Sequence, residues 1–216
     1  MNTSATSDEK VAAALAHGSV FLAFLGPLVP TILWASQRKK SKYVSFHALQ
    51  AMGYQALTFW LWIAATILIV VLSVFLVFPL GLFMENSRNP EYGLLIFQIF
   101  ILTWMFGLMG VFFLTGIIGA ISCLLGRDFR YPVLGKWLER YLAYDASSES
   151  PLDETHEDDW VAGICHATII LRLWGIATPL VVWFTQKERS ARLRFQSMQA
   201  FVYQGIAIAG YLLGMA

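Results

Sequence analysis

Charged residues are scarce in this chain, because they make up 13% of its 216 residues while 57% are apolar. An ordinary soluble domain carries about a quarter charged and about half apolar residues. Cysteine is also rare, and Cys123 and Cys165 both lie inside apolar runs, where a structural disulfide is not expected. The composition therefore excludes a soluble enzyme, a disordered tail and a disulfide-stapled domain. It predicts an all-α, polytopic helical integral membrane protein.

Motifs of catalysis and ligand binding are missing as well. The sequence has no Gly-x-Ser-x-Gly elbow, no phosphate loop and no Cys/His cluster at metal-ligand spacing. His17 and His166 are single histidines in apolar runs, where packing residues are far more common than haem ligands. We therefore expect no enzyme activity, no catalytic residue, no cofactor and no metal. The basic residues cluster beside apolar runs, which does not suggest nucleic-acid binding.

What the chain does contain is a series of long apolar runs. Each of them exceeds the length of about 18 residues that is typical of a membrane helix. Five runs are found, at residues 11–37, 43–84, 92–126, 160–186 and 195–216.

The few charges are placed unevenly along the chain. Seven of the fourteen acidic residues lie in 145–159, so the rest of the chain carries an excess of +8. Twelve of the fifteen basic residues form three groups, within 38–42, 127–140 and 187–194. By the positive-inside rule these groups are predicted to be cytoplasmic. The loop Glu85–Glu91 is then the predicted outer loop.

The sequence also matches itself at an offset of 149 positions. Residues 17–57 align with 166–206 without a gap, and twelve of the forty-one pairs are identical. We therefore predict one full unit over 1–144, which ends in an interfacial segment at 131–144, then an acidic linker at 145–159 that acts as a solvated tether. The remainder, 160–216, is predicted to be a half repeat.

The repeat creates a conflict with the charge rule if every run crosses the membrane once. One solution is that runs 11–37 and 160–186 are re-entrant or sharply broken, and the other is a kinked single crossing. The sequence leaves both open. The candidate helix breaks are Gly26, Pro27, Pro30, Gly175 and Pro179.

Polar side chains recur at helical spacing in the second run of each copy. Such a stripe must face another helix, water or a partner rather than lipid. Interhelical hydrogen bonding is the ordinary explanation, and a hydrophilic pathway or ligand groove is the alternative. The stripe consists of His47, Gln50, Tyr54, Thr58, Gln196, Gln199 and Tyr203.

One basic residue, Arg172, stands near the middle of the run 160–186. An intramembrane charge costs roughly 2.5 to 3.5 kcal/mol, which the neighbouring apolar residues offset. We expect Arg172 either to pair with helix-end carbonyls or a partner subunit, or to extend its side chain to a lipid headgroup.

Several motifs resemble the Tic-twenty-like family, which includes the plastid inner-envelope protein-import component and many small bacterial membrane proteins. The motifs are Ala16-His17, Leu25-Gly26-Pro27-Leu28, Ile32-Leu33-Trp34, Phe46-His47-Ala48-Leu49-Gln50-Ala51, Tyr54-Gln55 and 126–132. The fused half copy, and Arg172 where the first copy has Ala23, favour a bacterial relative over the plastid importer, so the predicted location is a bacterial inner membrane. The resemblance implies a channel-like or protein-translocation-associated membrane component. The alternative is a non-catalytic structural, accessory or assembly subunit of a larger membrane complex. Predicted partners are the lipid bilayer and further membrane subunits or a homo-oligomer.

Overall fold

The computed structural model describes residues 5–84, 91–148 and 150–215, and the all-α prediction is confirmed. These ranges contain no strand. Two 3₁₀ segments, Ser19–Leu25 and Thr168–Trp174, interrupt the α-helices. The helices are α1 Ser7–Gly18, α2 Leu28–Gln37, α3 Lys42–Met84, α4 Glu91–Leu124, α5 Leu134–Tyr141, α6 Glu154–Ala167, α7 Ala177–Gln186 and α8 Ala191–Met215.

The chain divides into two compact units. Unit 1 comprises the residues up to Leu57 and those from Thr115 onward, and unit 2 is Thr58–Leu114. Unit 2 therefore contains the later part of α3 and the earlier part of α4. Its large apolar side chains are widely exposed, as at Phe75 and Phe106, each 72% exposed. Exposure on this scale is expected where side chains face lipid rather than water.

Within the described ranges, three helices are long and apolar enough to cross a membrane, which supports a membrane location. They are Lys42–Phe75 in α3, Leu95–Leu124 in α4 and Ala191–Met215 in α8. They fall within three of the five apolar runs. The loop predicted to face outward, Glu85–Glu91, lies outside the described residues at positions 85–90.

The first apolar run is divided into two short helices that pack against each other. A capping box between Thr6 and Glu9 starts α1. The chain then breaks at Ala23, whose φ of 49° is left-handed, and Gly26 and Pro27 lead into α2. Ala13 and Ala14 in α1 pack with Tyr43 and Val44, which lie shortly after the end of α2. The two ends of the run therefore lie close together.

The second half of the chain has the same order of elements. The second 3₁₀ segment and the starts of α7 and α8 follow their counterparts by 149 positions. Hydrogen bonds recur as well, because Gln55 Nε2 donates to Ala16 O at 3.0 Å and Gln204 Nε2 donates to Cys165 O at 2.7 Å. Duplication of an ancestral unit stays a prediction, which these correspondences support.

The prediction of a solvated acidic tether is wrong for its second part. Asp153 caps α6 by accepting hydrogen bonds from the backbone N–H groups of Thr155 and His156. The next turn carries Glu157, which is only 2% exposed. A partner compensates its buried charge, because Arg38 Nη2 lies 3.1 Å from its carboxylate.

The core of unit 1 is formed by helices from both halves of the chain. Trp34, Phe46, Leu49, Ile164 and Leu193 are fully or almost fully buried there.

The segment 131–144, predicted to be interfacial, contributes α5 to this core. Leu138 and Leu142 are buried on one face of α5, and Trp137 on the other face is 43% exposed. The helix is therefore amphipathic, and its contact with the lipid interface stays a prediction.

Candidate functional site

Three buried side chains from three helices meet in unit 1. His17 on α1, His47 on α3 and Cys123 on α4 are all fully buried. His17 Nε2 lies 3.0 Å from His47 Nδ1, and Cys123 Sγ lies 3.6 Å from the same Nδ1 atom. Their donor atoms all lie within 4.8 Å of one another. We call these three residues the His-His-Cys cluster.

Each histidine of the cluster uses its other ring nitrogen to contact the segment that follows α4. His47 Nε2 lies 3.1 Å from Asp128 Oδ1, and His17 Nδ1 lies 2.9 Å from the Tyr131 hydroxyl. A carboxylate only accepts, so His47 Nε2–H donates to Asp128 and His47 Nδ1 is an acceptor. His17 Nε2–H then donates to His47, and Tyr131 donates to His17. All four buried groups are satisfied in one continuous chain.

Arg130 fixes the carboxylate end of this chain of hydrogen bonds. Its Nη2 donates to Asp128 Oδ2 at 2.8 Å and to Glu139 Oε1 at 3.2 Å, and its guanidinium lies 4.5 Å from the ring centroid of Phe46. Burial raises the pKa of Asp128, but the hydrogen bonds from His47 and Arg130 outweigh it and hold the pKa well below its usual range. Asp128 is therefore a carboxylate at neutral pH.

Burial keeps His17 in its neutral form. The side chain is fully buried, and a charged imidazole is costly where it is removed from water. A neutral imidazole is the form that the hydrogen-bond chain requires, and it is also the form that binds metal ions.

Gln50 and Tyr54 extend the contact between α3 and the same segment. Gln50 Oε1 accepts from the Tyr131 backbone N–H at 2.7 Å, and Gln50 Nε2 donates to Phe129 O at 3.1 Å. Tyr54 stacks on Tyr131 with ring centroids 3.8 Å apart. His47, Gln50 and Tyr54 thus lie on one face of α3 and pair with residues 128–131.

Small residues allow α1 to approach α4 closely at this point. A Cβ atom on Gly116 would lie 2.6 Å from Val20 Cγ1, and one on Gly119 would lie 3.1 Å from His17 Cγ. Close helix contact at glycine is common between membrane helices. It brings His17 beside His47 and Cys123.

The chain matches one protein family over more than half of its length. A family model described as the magnetosome magnetite crystal formation protein family, MamF/MmsF, matches residues 8–138. The chain belongs to this family. The matched range contains the complete His-His-Cys cluster together with Asp128 and Tyr131. No match was found among curated proteins, and none among solved structures.

The resemblance to the Tic-twenty-like family is wrong, and the protein-transport function that it implied falls with it, because the chain is a MamF/MmsF member. The motifs that suggested it are glycine, proline, tryptophan and glutamine at helix breaks and helix contacts. Gly26 lies at a break, Trp34 fills the core and Gln50 binds a backbone segment. These are packing roles, which do not distinguish one membrane family from another.

The stripe residues of the second copy are placed differently from those of the first. Gln196 Oε1 lies 3.1 Å from His166 Nε2, which repeats the histidine contact of the first copy. Gln199 is exposed and Tyr203 is 59% exposed. Thr58 lies in unit 2 and is half-buried.

The residues predicted to break the helices lie at or beside the breaks. Gly26 and Pro27 separate the first 3₁₀ segment from α2, and Pro30 lies in the first turn of α2. Gly175 precedes α7, and Pro179 lies in its first turn. Proline is tolerated there because the first turn of a helix has unpaired N–H groups in any case.

Arg172 lies within the second 3₁₀ segment, Thr168–Trp174. Its side chain lies outside the described part of the structure, so its pairing stays a prediction.

Sequence reasoning missed the His-His-Cys cluster and expected no metal-ligand group. His17 and His47 are separated by 30 residues, and Cys123 follows 76 residues after His47. No ligand spacing links residues on three different helices. The available signal was the pair Gly116 and Gly119 in the third apolar run, a pattern typical of close contact with another helix, although it does not say which one.

Proposed function

We propose that this chain is a non-enzymatic accessory protein of the magnetosome membrane that takes part in magnetite crystal formation. The observation that carries the proposal is the MamF/MmsF match over residues 8–138. The three long apolar helices are consistent with a role within a membrane. The accessory role agrees with the buried hydrogen-bond chain in the matched range, in which Asp128, His47, His17 and Tyr131 bind one another.

The proposal includes a membrane topology in which the first apolar run is re-entrant. Its start and its end lie close together, because Ala13 and Ala14 of α1 pack with Tyr43 and Val44 of α3. Its turn at Gly26 lies beside Gln55, fourteen residues beyond Ser41 and therefore about 21 Å along α3 at about 1.5 Å per residue. That depth is well into a hydrocarbon core of about 30 Å. Run 160–186, with the same element order, is proposed to be re-entrant as well.

In this topology the three basic groups share one face, which we propose to be cytoplasmic. Arg38 of the first group donates to Gln186, beside the third group, at 3.0 Å. Lys42 donates to Asp145 O at 2.7 Å, shortly after the second group. A shared face is what the positive-inside rule requires of all three groups.

Single cysteines introduced at exposed positions test the topology. Asp8, Lys40 and Glu188 are exposed, and Cys123 and Cys165 are buried and serve as the internal background. In intact cells or sealed inverted vesicles, a membrane-impermeant thiol reagent is expected to label D8C, K40C and E188C from the same side. Labelling of D8C and K40C from opposite sides would show that the first run crosses the membrane.

Further membrane subunits or a second copy of the chain are the proposed protein partners. The support is the apolar side of α8 that unit 1 leaves exposed, with Phe195 65%, Ile206 68% and Leu213 79% exposed. Lipid also accounts for this surface. Mass measurement of the protein in mild detergent distinguishes a monomer from a larger assembly.

Localisation tests the proposed function itself. A tagged copy is expressed in a magnetite-forming bacterium, and magnetite-bearing vesicles are separated magnetically from the remaining membranes. We expect the protein to be enriched in the magnetic fraction, while an unrelated inner-membrane protein with the same tag is not. Equal distribution of both proteins would contradict the proposal.

A further inference from the structure

We propose that His17, His47 and Cys123 form a binding site for one divalent first-row transition-metal ion. Two imidazole nitrogens and one thiolate are a donor set that borderline ions such as Zn²⁺, Co²⁺ and Fe²⁺ accept. The three side chains come from α1, α3 and α4, so a bound ion would join three helices. The inference is independent of the proposed role in crystal formation, because it concerns the chemistry of these side chains alone.

Two of the three distances between the donor atoms are close to those expected around a tetrahedral ion. Bonds of about 2.0–2.1 Å to nitrogen and about 2.3 Å to sulfur place two nitrogens about 3.3 Å apart and a nitrogen and a sulfur about 3.6 Å apart. The measured separations are 3.0 Å between His17 Nε2 and His47 Nδ1 and 3.6 Å between His47 Nδ1 and Cys123 Sγ. The two ring nitrogens need to separate by a few tenths of an ångström, and the remaining pair, His17 Nε2 and Cys123 Sγ, lies within 4.8 Å and closes on the ion by side-chain rotation.

The nitrogens that do not face the cluster are already held by outer partners. A histidine that binds a metal usually donates its other N–H to a carboxylate, a carbonyl or water, which orients the ring. His47 donates to Asp128 at 3.1 Å, and Arg130 holds Asp128 in turn. His17 faces the Tyr131 hydroxyl at 2.9 Å. Both rings are thus oriented with one nitrogen toward Cys123.

Each proton on the ligands can be followed when the ion binds. His47 Nδ1 already carries a lone pair, because His47 donates its proton through Nε2 to Asp128. His17 moves its ring proton from Nε2 to Nδ1, where the Tyr131 hydroxyl oxygen accepts it in place of donating. Cys123 loses its thiol proton to solvent. One proton is therefore released for each ion bound.

The charges around the site balance once the ion is present. A divalent ion and the Cys123 thiolate together carry +1, which Asp128 neutralises, and Arg130 is paired with Glu139 at 3.2 Å. A neutral total is required in a site whose three ligands are fully buried.

A fourth polar group lies beside the donors. The Tyr43 and His47 ring centroids lie 4.4 Å apart, and Tyr43 packs in the same buried cluster as Cys123. The Tyr43 hydroxyl has no hydrogen-bond partner among the described residues, and Tyr43 is 8% exposed. An unpaired buried hydroxyl is costly unless something binds it. The ion or a water bound to it provides that partner.

The second half of the chain supplies an internal control. His166 corresponds to His17, but Gln196 stands at the position of His47, and Cys165 corresponds to Ala16. The described residues show no His or Cys beside His166 and Gln196 that would complete a ligand set. We therefore expect one site per chain.

Cobalt is the probe that tests the site. The full chain is expressed in medium supplemented with Co²⁺, so that the ion is present while the buried site forms, and is purified in mild detergent. We expect one Co²⁺ per chain by elemental analysis and a thiolate-to-cobalt charge-transfer absorption in the near ultraviolet. If circular dichroism shows that the wild-type protein is folded but it holds less than a tenth of a Co²⁺ ion per chain, the proposal is overturned. The cluster is then a hydrogen-bond network only.

Pairs of variants, each with a control at the corresponding residue type outside the cluster, test which side chains bind the ion. Cys123→Ser is expected to abolish the charge-transfer band and to lower bound Co²⁺ at least tenfold, whereas Cys165→Ser keeps both. His47→Gln reproduces the residue of the second copy and is expected to lower bound Co²⁺ at least tenfold, whereas His166→Gln keeps it. Loss of the band in Cys165→Ser with retention in Cys123→Ser would contradict the assignment.

A protection experiment covers the case in which Cys123→Ser does not fold. In the Cys165→Ser background, Co²⁺ is expected to slow alkylation of Cys123 at least tenfold during partial unfolding. An unchanged alkylation rate would overturn the proposal.

Discussion

The Arg38 guanidinium lies 3.1 Å from the Glu157 carboxylate, and both side chains are only 3% exposed. Glu157 also accepts a hydrogen bond from Trp34 Nε1 at 2.7 Å, and Arg38 reaches Asp158 at 2.8 Å. Residues separated by more than a hundred positions therefore form one buried charged group. It joins the end of α2 to the first turns of α6, and so connects the first half of the chain to the second.

Loss of Arg38 is expected to destabilise the protein strongly. Arg38→Met leaves the buried Glu157 charge without its cation, which costs about 3–5 kcal/mol in the free energy of unfolding. Lys39→Met is the control, because Lys39 pairs with Glu154 at an exposed site and such pairs contribute about 0–1 kcal/mol. Denaturant titration in mild detergent measures both. Equal losses in the two variants would contradict the role of the buried pair.

Glu157 is expected to make stability depend on pH. Burial raises its pKa, and this outweighs the opposing effect of Arg38. A carboxyl with a raised folded-state pKa contributes stability that is complete below its unfolded pKa and is lost as the pH rises through the folded one. The free energy of unfolding of the wild type, relative to Glu157→Gln, should therefore fall as the pH rises above the unfolded-state pKa of about 4.3, until Glu157 is ionised in the folded protein as well.

Glu154→Gln is the control for this titration, and its sign is opposite. The Lys39 hydrogen bond and charge lower the pKa of Glu154, so its contribution is present above the unfolded pKa and is lost as the pH falls. The effect is small because the residue is exposed. A wild type that gains stability relative to Glu157→Gln as the pH rises would show that Arg38 outweighs burial.

The turn at Gly26 is expected to reject a side chain. A Cβ atom there would lie 2.5 Å from Gln55 Oε1 and 2.9 Å from the backbone oxygen of Ala23, and the backbone cannot move away freely. Gly26→Ala should lower the free energy of unfolding by about 1–3 kcal/mol. In the control, Gly163→Ala, the new Cβ meets nothing within 4 Å and should stabilise α6 by up to about 1 kcal/mol. An unchanged free energy of unfolding in Gly26→Ala would contradict the close packing at this turn.

Removal of one hydroxyl tests the buried hydrogen-bond chain. Tyr131→Phe leaves the buried His17 Nδ1 without its partner, which costs about 1–3 kcal/mol. Tyr203→Phe removes a hydroxyl from a side chain that is 59% exposed, and should change the free energy of unfolding by less than about 0.5 kcal/mol. If the two variants are equally stable, the Tyr131 hydroxyl does not hold His17.

The fold could be predicted from the sequence where the signal is local. Long runs without charge predict membrane helices, and Gly26 and Pro27 predict the break between α1 and α2. The spacing of His47, Gln50 and Tyr54 predicts a shared helix face, but not what that face contacts. Their partners, residues 128–131, lie about eighty positions further along the chain, and periodicity carries no information over that distance.

Long-range pairing also explains what was mistaken. The acidic stretch suggests a solvated tether because its charge is concentrated locally. Its Glu157 is buried because Arg38, 119 residues earlier, supplies the opposite charge. The His-His-Cys cluster is hidden for the same reason, since three helices each contribute a single ligand.

Crystal size tests the central claim most directly. In a magnetite-forming bacterium from which all MamF/MmsF members have been deleted, this chain is expressed and the length of the magnetite crystals is measured by electron microscopy. We predict that crystal length shifts from that of the deletion strain toward that of the wild type. Crystals that remain the size of those in the deletion strain, although the protein is present in the magnetite-bearing membrane, would contradict the account.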